Sequence, residues 1–232
     1  MLVSTQGFVL HTTPYAETSV VAKVFTRQLG LRSYMVKGVR TARGRVKQNL
    51  LQPLSCLDMV VYDNPRTNLD YVKELAPRQP AAETSAVGNA MRFFMAEVLY
   101  KSLGEAEPMP ALWDYVEGVN GSLAGGVRHL PVTFLLTVAR HLGIEPLDNC
   151  SAREPYFCVQ EGCFVAAPNE TTLSLPLSDM LHCYLSRSGE FYPAYALVDR
   201  SALIDALLDY FQLHRGGFNH FHSNEILHIV LK

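Results

Sequence analysis

The residues with the clearest capacity for chemistry lie in one short basic segment, residues 37–47. This basic segment holds five Lys or Arg side chains, two glycines and no acidic side chain. No Asp or Glu occurs between Glu17 and Asp58, so an acid-free basic block extends over forty residues. Surface charge of one sign is typical of a contact with a polyanion such as nucleic acid. The cations of this block, which we predict to bind DNA phosphates, are Lys23, Arg27, Arg32, Lys37, Arg40, Arg43, Arg45 and Lys47.

Two alternatives remain open for this block. A run of like charges is also typical of a solvated, self-repelling loop. We favour a nucleic-acid contact because the cations extend over several predicted strands rather than a single tail. Aromatic side chains near the block could stack on bases, although such residues more often pack in a barrel core or across strands. These aromatic candidates are Phe25, Tyr34, Tyr62 and Tyr71.

The charge of the chain is divided unevenly between its two parts. The formal net charge is −2, yet residues 1–80 carry eleven cations against five acids, and residues 81–232 carry nine against seventeen. This asymmetry predicts two modules with different partners. The sequence has no apolar run of membrane-spanning length and no signal-peptide pattern at its start, so we expect a cytoplasmic, nucleoid-associated protein without membrane contact.

Five short strands are predicted near the start of the chain, each rich in β-branched or aromatic residues. In the fourth strand, Leu57, Met59 and Val61 share one face. Five short strands suit a small barrel such as an OB-fold, with an SH3-like barrel as the alternative. The predicted strands are residues 7–11, closed by Pro14, and residues 19–26, 31–36, 57–62 and 69–75.

The hydrophobic period changes from two to about 3.5 after the segment 76–80, which contains two prolines. Helical stripes then recur to the end of the chain, interrupted by an irregular or hairpin insert at about 150–173. We therefore predict an α+β protein, with an N-terminal OB-fold β-barrel over residues 1–79 and an all-helical C-terminal domain over residues 80–232. The apolar stripes indicate core packing rather than a binding site.

Metal binding and catalysis are both weakly indicated. Structural zinc uses close cysteine pairs, whereas Cys150, Cys158, Cys163 and Cys183 are separated by eight, five and twenty positions. An odd cysteine number fits reduced thiols better than disulfides. The C-terminal histidines, at positions 214, 220, 222 and 228, lack a nearby Asp or Cys to complete a ligand set. No phosphate-binding loop, dinucleotide fingerprint, nucleophile elbow or zinc-protease helix occurs, so we expect no enzyme and no cofactor.

Several short motifs, taken in order, resemble the bacterial DNA repair and recombination mediator family RecO. The Lys-Gly-x-Arg element after the third predicted strand is the most specific of them. The motifs are Gly7-Phe8-Val9-Leu10, Tyr15-Ala16-Glu17, Val24-Phe25-Thr26, Val36-Lys37-Gly38-Val39-Arg40, Gln52-Pro53-Leu54, Phe134-Leu135-Leu136 and His141-Leu142-Gly143-Ile144-Glu145-Pro146.

This resemblance implies an OB-fold followed by a helical domain. It also implies binding of single- and double-stranded DNA, annealing of complementary strands, and help in loading the RecA recombinase onto single strands coated with single-strand-binding protein. The expected partners are RecR and the acidic, apolar C-terminal tail of the single-strand-binding protein. The family's basic barrel face corresponds directly to Lys37 and Arg40, and by loop position to Arg43, Arg45 and Lys47.

Two further expectations depend on the resemblance. Arg140, beside Phe134 and Val138, is our candidate for a cationic rim that binds the protein partner. Many family members hold zinc between two close cysteine pairs, but this chain keeps Cys150 near the first such position and lacks the pairing. The alternative function is a protein-interaction adaptor that does not bind DNA directly.

Overall fold

A computed structural model describes most of the chain as two compact units, Met1–Gly126 and Val127–Lys232. The described residues are 1–39, 45–64, 67–78, 85–104, 107–123, 128–186, 197–216 and 221–230, with backbone alone at 45–47, 197 and 198. The predicted domain boundary at residues 79 and 80 lies outside them. The first unit contains two helices after the barrel, and the second unit contains the remaining elements.

The first unit begins with a closed five-stranded barrel. Its strand order is β1-β2-β3-β5-β4, with β1 also paired to β4, and its one parallel pair among the described residues joins β3 to β5. This order is OB-like, so the prediction of an OB-fold in an α+β protein is confirmed over the SH3-like alternative. The elements are β1 (Leu2–Tyr15), β2 (Ser19–Thr26), β3 (Gly30–Val36), α1 (Arg45–Leu50), β4 (Cys56–Tyr62) and β5 (Asp70–Pro77).

Strand β1 is far longer than the predicted strand over residues 7–11. It pairs with β4 along Leu2–Phe8 and with β2 along Gly7–Tyr15, so the barrel closes on both of its edges. Pro14 lies opposite Val20 and does not end the strand. A bulge between Val9 and His11 adds a residue to β1. The alternation of inward and outward side chains is therefore shifted by one position after the bulge.

The alternation of side chains separates the barrel interior from its outer face. Val9, Ala22, Val24 and Tyr34 are buried in the interior, together with the predicted inward face of β4. Leu51 belongs to the same core, and Leu50 packs against it. These leucines tie the end of the basic segment to the barrel. The last residues of the basic segment are helical, because α1 begins at Arg45.

A second apolar layer covers one end of the barrel's outer face. Phe8 lies opposite Phe25 and Cys56 in the strand register, and all three side chains are buried. The helices α2 (Ala86–Ser102) and α3 (Pro110–Ser122) belong to the same unit, and Trp113 of α3 packs on Phe8 with ring centroids 5.0 Å apart. Residue Ser85 caps α2 by accepting a hydrogen bond from the backbone N–H of residue 88.

Polar contacts attach α3 to the barrel beside this apolar layer. The buried Asn120 side chain donates to the Leu54 carbonyl at 3.2 Å and accepts from Arg92 of α2 at 3.1 Å. Arg78, just beyond β5, pairs with Glu117 at 3.0 Å. The barrel and these two helices therefore share one continuous core, which explains why the first compact unit extends to Gly126.

The second unit is helical around a two-stranded sheet. Its elements are α4 (Leu130–His141), β6 (Tyr156–Cys158), β7 (Cys163–Val165), α5 (Leu175–Leu185), α6 (Leu197–Arg215) and α7 (Ser223–Val230). The hairpin falls within the predicted insert, and its Phe157 and Phe164 rings pack edge to face at 5.2 Å. Asn149 bonds both backbone groups of Phe164, at 2.8 and 2.9 Å. In the portion of the chain that is described, no helix is long and apolar enough to cross a membrane.

Candidate nucleic-acid interface

The outer face of β2 and β3 is the face through which OB-folds bind oligonucleotides, together with the loops β1–β2 and β4–β5. Lys23 lies on this face, because its register partners His11 and Ser33 are outside the interior set. The imidazole of His11 stacks on the Tyr100 ring of α2 at 4.7 Å between centroids and 15° between planes. This contact joins α2 to β1 beside the Lys23 side chain.

Lys37 extends the same face beyond the end of β3. Its ammonium lies 4.9 Å from the centroid of the Tyr71 ring, a cation–π contact, and the side chain is exposed. Gly38 follows with φ at +72°, in the left-handed region that favours glycine. The chain therefore makes a turn at Gly38, near the start of the basic segment.

The four aromatic candidates divide into two pairs. Tyr34 and Phe25 are 0% and 1% exposed, so they are core residues and cannot stack on a ligand. Burial, and then the negative charge of Asp70, raises the pKa of Tyr34. Tyr62 and Tyr71 are 46% and 47% exposed and stand opposite each other on β4 and β5. Only this second pair presents ring faces to solvent.

Arg27 and Arg32, both predicted to bind DNA, form polar contacts within the first unit. Arg27 forms an ion pair with Asp114 at 3.0 Å, and its guanidinium lies 5.6 Å from the Trp113 ring centroid. Arg32 stands opposite the inward-facing Val24, and its Nε donates to the Leu29 carbonyl at 3.2 Å. Both side chains lie toward the end of the barrel that α3 covers, away from Lys37.

The remaining cations belong to the basic segment itself. Arg40 and Arg43 lie outside the described residues, and Arg45 and Lys47 lie on α1, where only the backbone is described. Both attachment points of the segment are fixed, because Val39 and Leu51 are buried in the barrel core. The described parts of the segment, residues 37–39 and 45–47, thus connect the end of β3 to the helix α1 that precedes β4.

Several acidic side chains of the barrel have partners within the first unit. Asp58 pairs with Arg78 at 3.5 Å, and Glu74 pairs with Lys73 at 3.3 Å. Asp70 is buried and accepts a hydrogen bond from the backbone N–H of Asn64 at 3.2 Å. Each of these three carboxylates therefore has a partner within the first unit.

Arg140 of the second unit is held by its own chain. Its Nε lies 2.9 Å from both carboxylate oxygens of Glu145, and a second guanidinium nitrogen contacts the same group. An acidic ligand at this position has to compete with Glu145. The positive charge of the predicted cationic rim is therefore already balanced by the Glu145 carboxylate.

The positions of the cysteines bear on the expectation that this chain does not bind zinc. All five lie in described segments and none forms a disulfide. Cys158 and Cys163 face each other across the hairpin, but the Cys158 Sγ lies 3.2 Å from the Thr171 hydroxyl and the Cys163 Sγ faces Glu161 at 4.0 Å. Among the described residues, no three His, Cys, Asp or Glu side chains are arranged to hold a metal ion.

Two residues of this face, Met35 and His11, were not identified from the sequence. Met35 is the register partner of both Val21 and Tyr71, which places it between the Lys23 strand and the tyrosine pair. Strand alternation from Tyr34 could have found it. His11 could not be placed from sequence, because the bulge after Val9 reverses the alternation that assigns its direction.

Comparison with known proteins supports this description of the barrel. Residues 1–81 match the family model described as recombination protein O N terminal. The barrel is similar to the N-terminal domain of RecO proteins. The whole chain is 26% identical to the DNA repair protein RecO of Flavobacterium johnsoniae, over 98% of each chain, and 26% identical to that of Christiangramia forsetii, over 99% of each. The RecO of Phocaeicola vulgatus is also 26% identical, over 98% of both chains. The predicted resemblance to RecO is confirmed.

Proposed function

We propose that this chain is a DNA repair protein that binds single- and double-stranded DNA through its barrel. It acts as a recombination mediator, annealing complementary strands and helping to load RecA onto single strands coated with single-strand-binding protein. The observation that carries the proposal is the basic segment, attached at both ends to an OB-like barrel beside the exposed end of β3. The similarity to RecO proteins along nearly the whole chain supports the same role.

The chemistry of this interface is phosphate binding rather than catalysis, and we propose no enzymatic activity and no cofactor. Lys and Arg side chains release condensed counterions when they neutralise phosphates, so binding is strong at low salt and weakly selective for sequence. A surface that neutralises two strands at once also lowers their mutual repulsion, which favours annealing. Lys37 and the basic segment are the proposed centre of this surface, with Lys23 beside them and Arg27 and Arg32 at its margin.

The protein partners are proposed from the same similarity. RecR and the acidic C-terminal tail of the single-strand-binding protein are the expected partners. Arg140 is the candidate contact for the tail, which then displaces Glu145 from the guanidinium. The site of action is the cytoplasm, on the nucleoid.

The proposal is tested by a DNA-binding titration over a salt series with the double variant Arg40→Glu/Arg43→Glu. Loss of two phosphate contacts should reduce the slope of log affinity against log salt by about 1.4 for single strands. The affinity ratio between 50 and 200 mM salt should then shrink by about sevenfold, since each contact contributes about 0.7 to the slope.

A matched control carries the same change of charge in the second unit. The double variant Arg128→Glu/Arg153→Glu alters two exposed cations outside the basic block and should retain the wild-type slope. Equal losses in both variants, or unchanged affinity of the Arg40/Arg43 variant at low salt, would contradict DNA binding by the basic segment. Unchanged affinity combined with tight binding of a protein partner would favour the adaptor function instead.

A further inference from the structure

Two exposed tyrosines stand side by side at the Lys37 end of the barrel. Tyr62 of β4 is the register partner of Tyr71 of β5, and residues directly opposite in an antiparallel pair have their Cβ atoms about 5 Å apart. Tyr71 is in turn the parallel register partner of Met35. Met35 itself is only 5% exposed, so the exposed apolar surface here is the pair Tyr62 and Tyr71, which we call the tyrosine platform.

The tyrosine platform, like Tyr15 at the end of β1 (54% exposed), differs in exposure from the aromatic side chains that are buried in the barrel. Phe8, Phe25 and Tyr34 are at most 1% exposed, whereas each platform tyrosine leaves nearly half of its surface in water. Burial of Phe8 and Phe25 is explained by the layer of α2 and α3, but no described element covers Tyr62 or Tyr71. An uncovered aromatic pair beside a cation is typical of a binding surface rather than a core.

The charge around the platform indicates the chemistry of its ligand. The Lys37 ammonium lies over the Tyr71 ring, 4.9 Å from its centroid, so a cation is in contact with one face of that ring. The basic segment begins at this same residue. A ligand that is flat and apolar in one part and anionic in the next satisfies both features, and an unpaired nucleotide has this composition.

We infer that Tyr62 and Tyr71 stack on unpaired bases and give the site a preference for single strands over duplex. This inference rests on the proposed function, because it assigns a ligand form to the same DNA-binding face. In a duplex the base faces are covered by their neighbours, so a tyrosine platform gains contacts only with unstacked bases. The Lys37 ammonium and the basic segment bind phosphate in either form, and they supply no discrimination between them.

The test uses the full-length chain with the double variant Tyr62→Ala/Tyr71→Ala. Affinities for an oligothymidine and for a duplex of equal length are measured at one salt concentration and then over a salt series. Affinity for the single strand should fall by at least about fivefold per stacked base, whereas duplex affinity should change by less than about twofold. The salt slope should stay at the wild-type value, because no phosphate contact is removed.

Two further variants separate stacking from folding. The conservative variant Tyr62→Phe/Tyr71→Phe retains both rings and should retain the single-strand preference. Phe93→Ala removes an aromatic ring of the same 47% exposure from α2 and should change neither affinity. The single Trp113, buried in the same unit, reports through its fluorescence whether each variant is folded.

These experiments distinguish failure of the stacking inference from failure of the proposed function. Absence of DNA binding by the wild-type chain would contradict the proposed function itself. Salt-dependent binding that the Arg40→Glu/Arg43→Glu variant loses, combined with an unchanged single-strand affinity in the Tyr→Ala variant, would overturn the stacking inference alone. An equal loss for single strand and duplex would also overturn it, because the tyrosines would then not discriminate between the two forms.

Discussion

Replacement of Phe8 by alanine tests whether α2 and α3 are an integral part of the barrel's fold. Phe8 is fully buried between its register partners Phe25 and Cys56 and the indole of Trp113. A buried Phe→Ala change removes the transfer free energy of the ring and leaves a cavity, which together cost about 3–5 kcal/mol. This is a large share of the about 5–15 kcal/mol by which domains are usually stable.

Chemical unfolding followed by tryptophan fluorescence measures this effect in the first unit. The chain has a single tryptophan, and it lies directly against the altered residue. With a urea dependence of about 2 kcal/mol per molar, the Phe8→Ala change should lower the unfolding midpoint by about 2 M. The matched control is Phe93→Ala on α2, whose ring is 47% exposed. Because half of that ring is already in water, we expect a loss of about 1 kcal/mol.

Equal losses in the two variants would refute the reasoning, because burial against Trp113 would then contribute nothing. Two fragments of the chain test the same point. The fragment 1–126 should unfold cooperatively, whereas the fragment 1–79 should not, because it lacks α2 and α3 and leaves Phe8 and Phe25 uncovered. Cooperative unfolding of the shorter fragment would show that the barrel needs no second layer.

The remaining predictions concern titratable groups. Burial, and then the charges of Arg200 and Arg128, lowers the pKa of His129, whose Nδ1 lies 2.8 Å from the Tyr184 hydroxyl. The unfolded state therefore takes up a proton near pH 6.5 that the folded state refuses, so stability should fall as pH drops below about 6.5 until the lower folded pKa is reached. His129→Gln should flatten this dependence in unfolding measured by circular dichroism, and an unchanged slope would contradict it. Burial raises the pKa of the Cys56 thiol to about 12, so alkylation at pH 8 followed by mass spectrometry should modify Cys56 only after unfolding. A chelator should leave the labelling of Cys150 and Cys163 unchanged, because neither is expected to bind zinc.

Sequence patterns predicted the barrel well where the signal was local. The period-two pattern of β4 placed Leu57, Met59 and Val61 in the core, and the structure confirms it. The strands β2 and β3 also fall close to their predicted limits. The full extent of β1 was not predictable from its own residues, because its first half is a strand through pairing with β4, far along the chain.

The site shows the same division. The acid-free block depends on residue types alone, so the sequence by itself determined that the first part of the chain is basic. The contacts that each cation makes did not follow from the sequence. The ion pair between Arg27 and Asp114 joins residues 87 positions apart, and no local pattern reports such a contact.

The aromatic candidates were decided only by the tertiary structure. From sequence, Phe25, Tyr34, Tyr62 and Tyr71 were equivalent, whereas the fold buries the first two and leaves the last two exposed. The physical reason is that strand register and helix packing are set by contacts between distant parts of the chain. A residue's type gives its capacity to stack on a base, but its neighbours in space decide whether the ring is available.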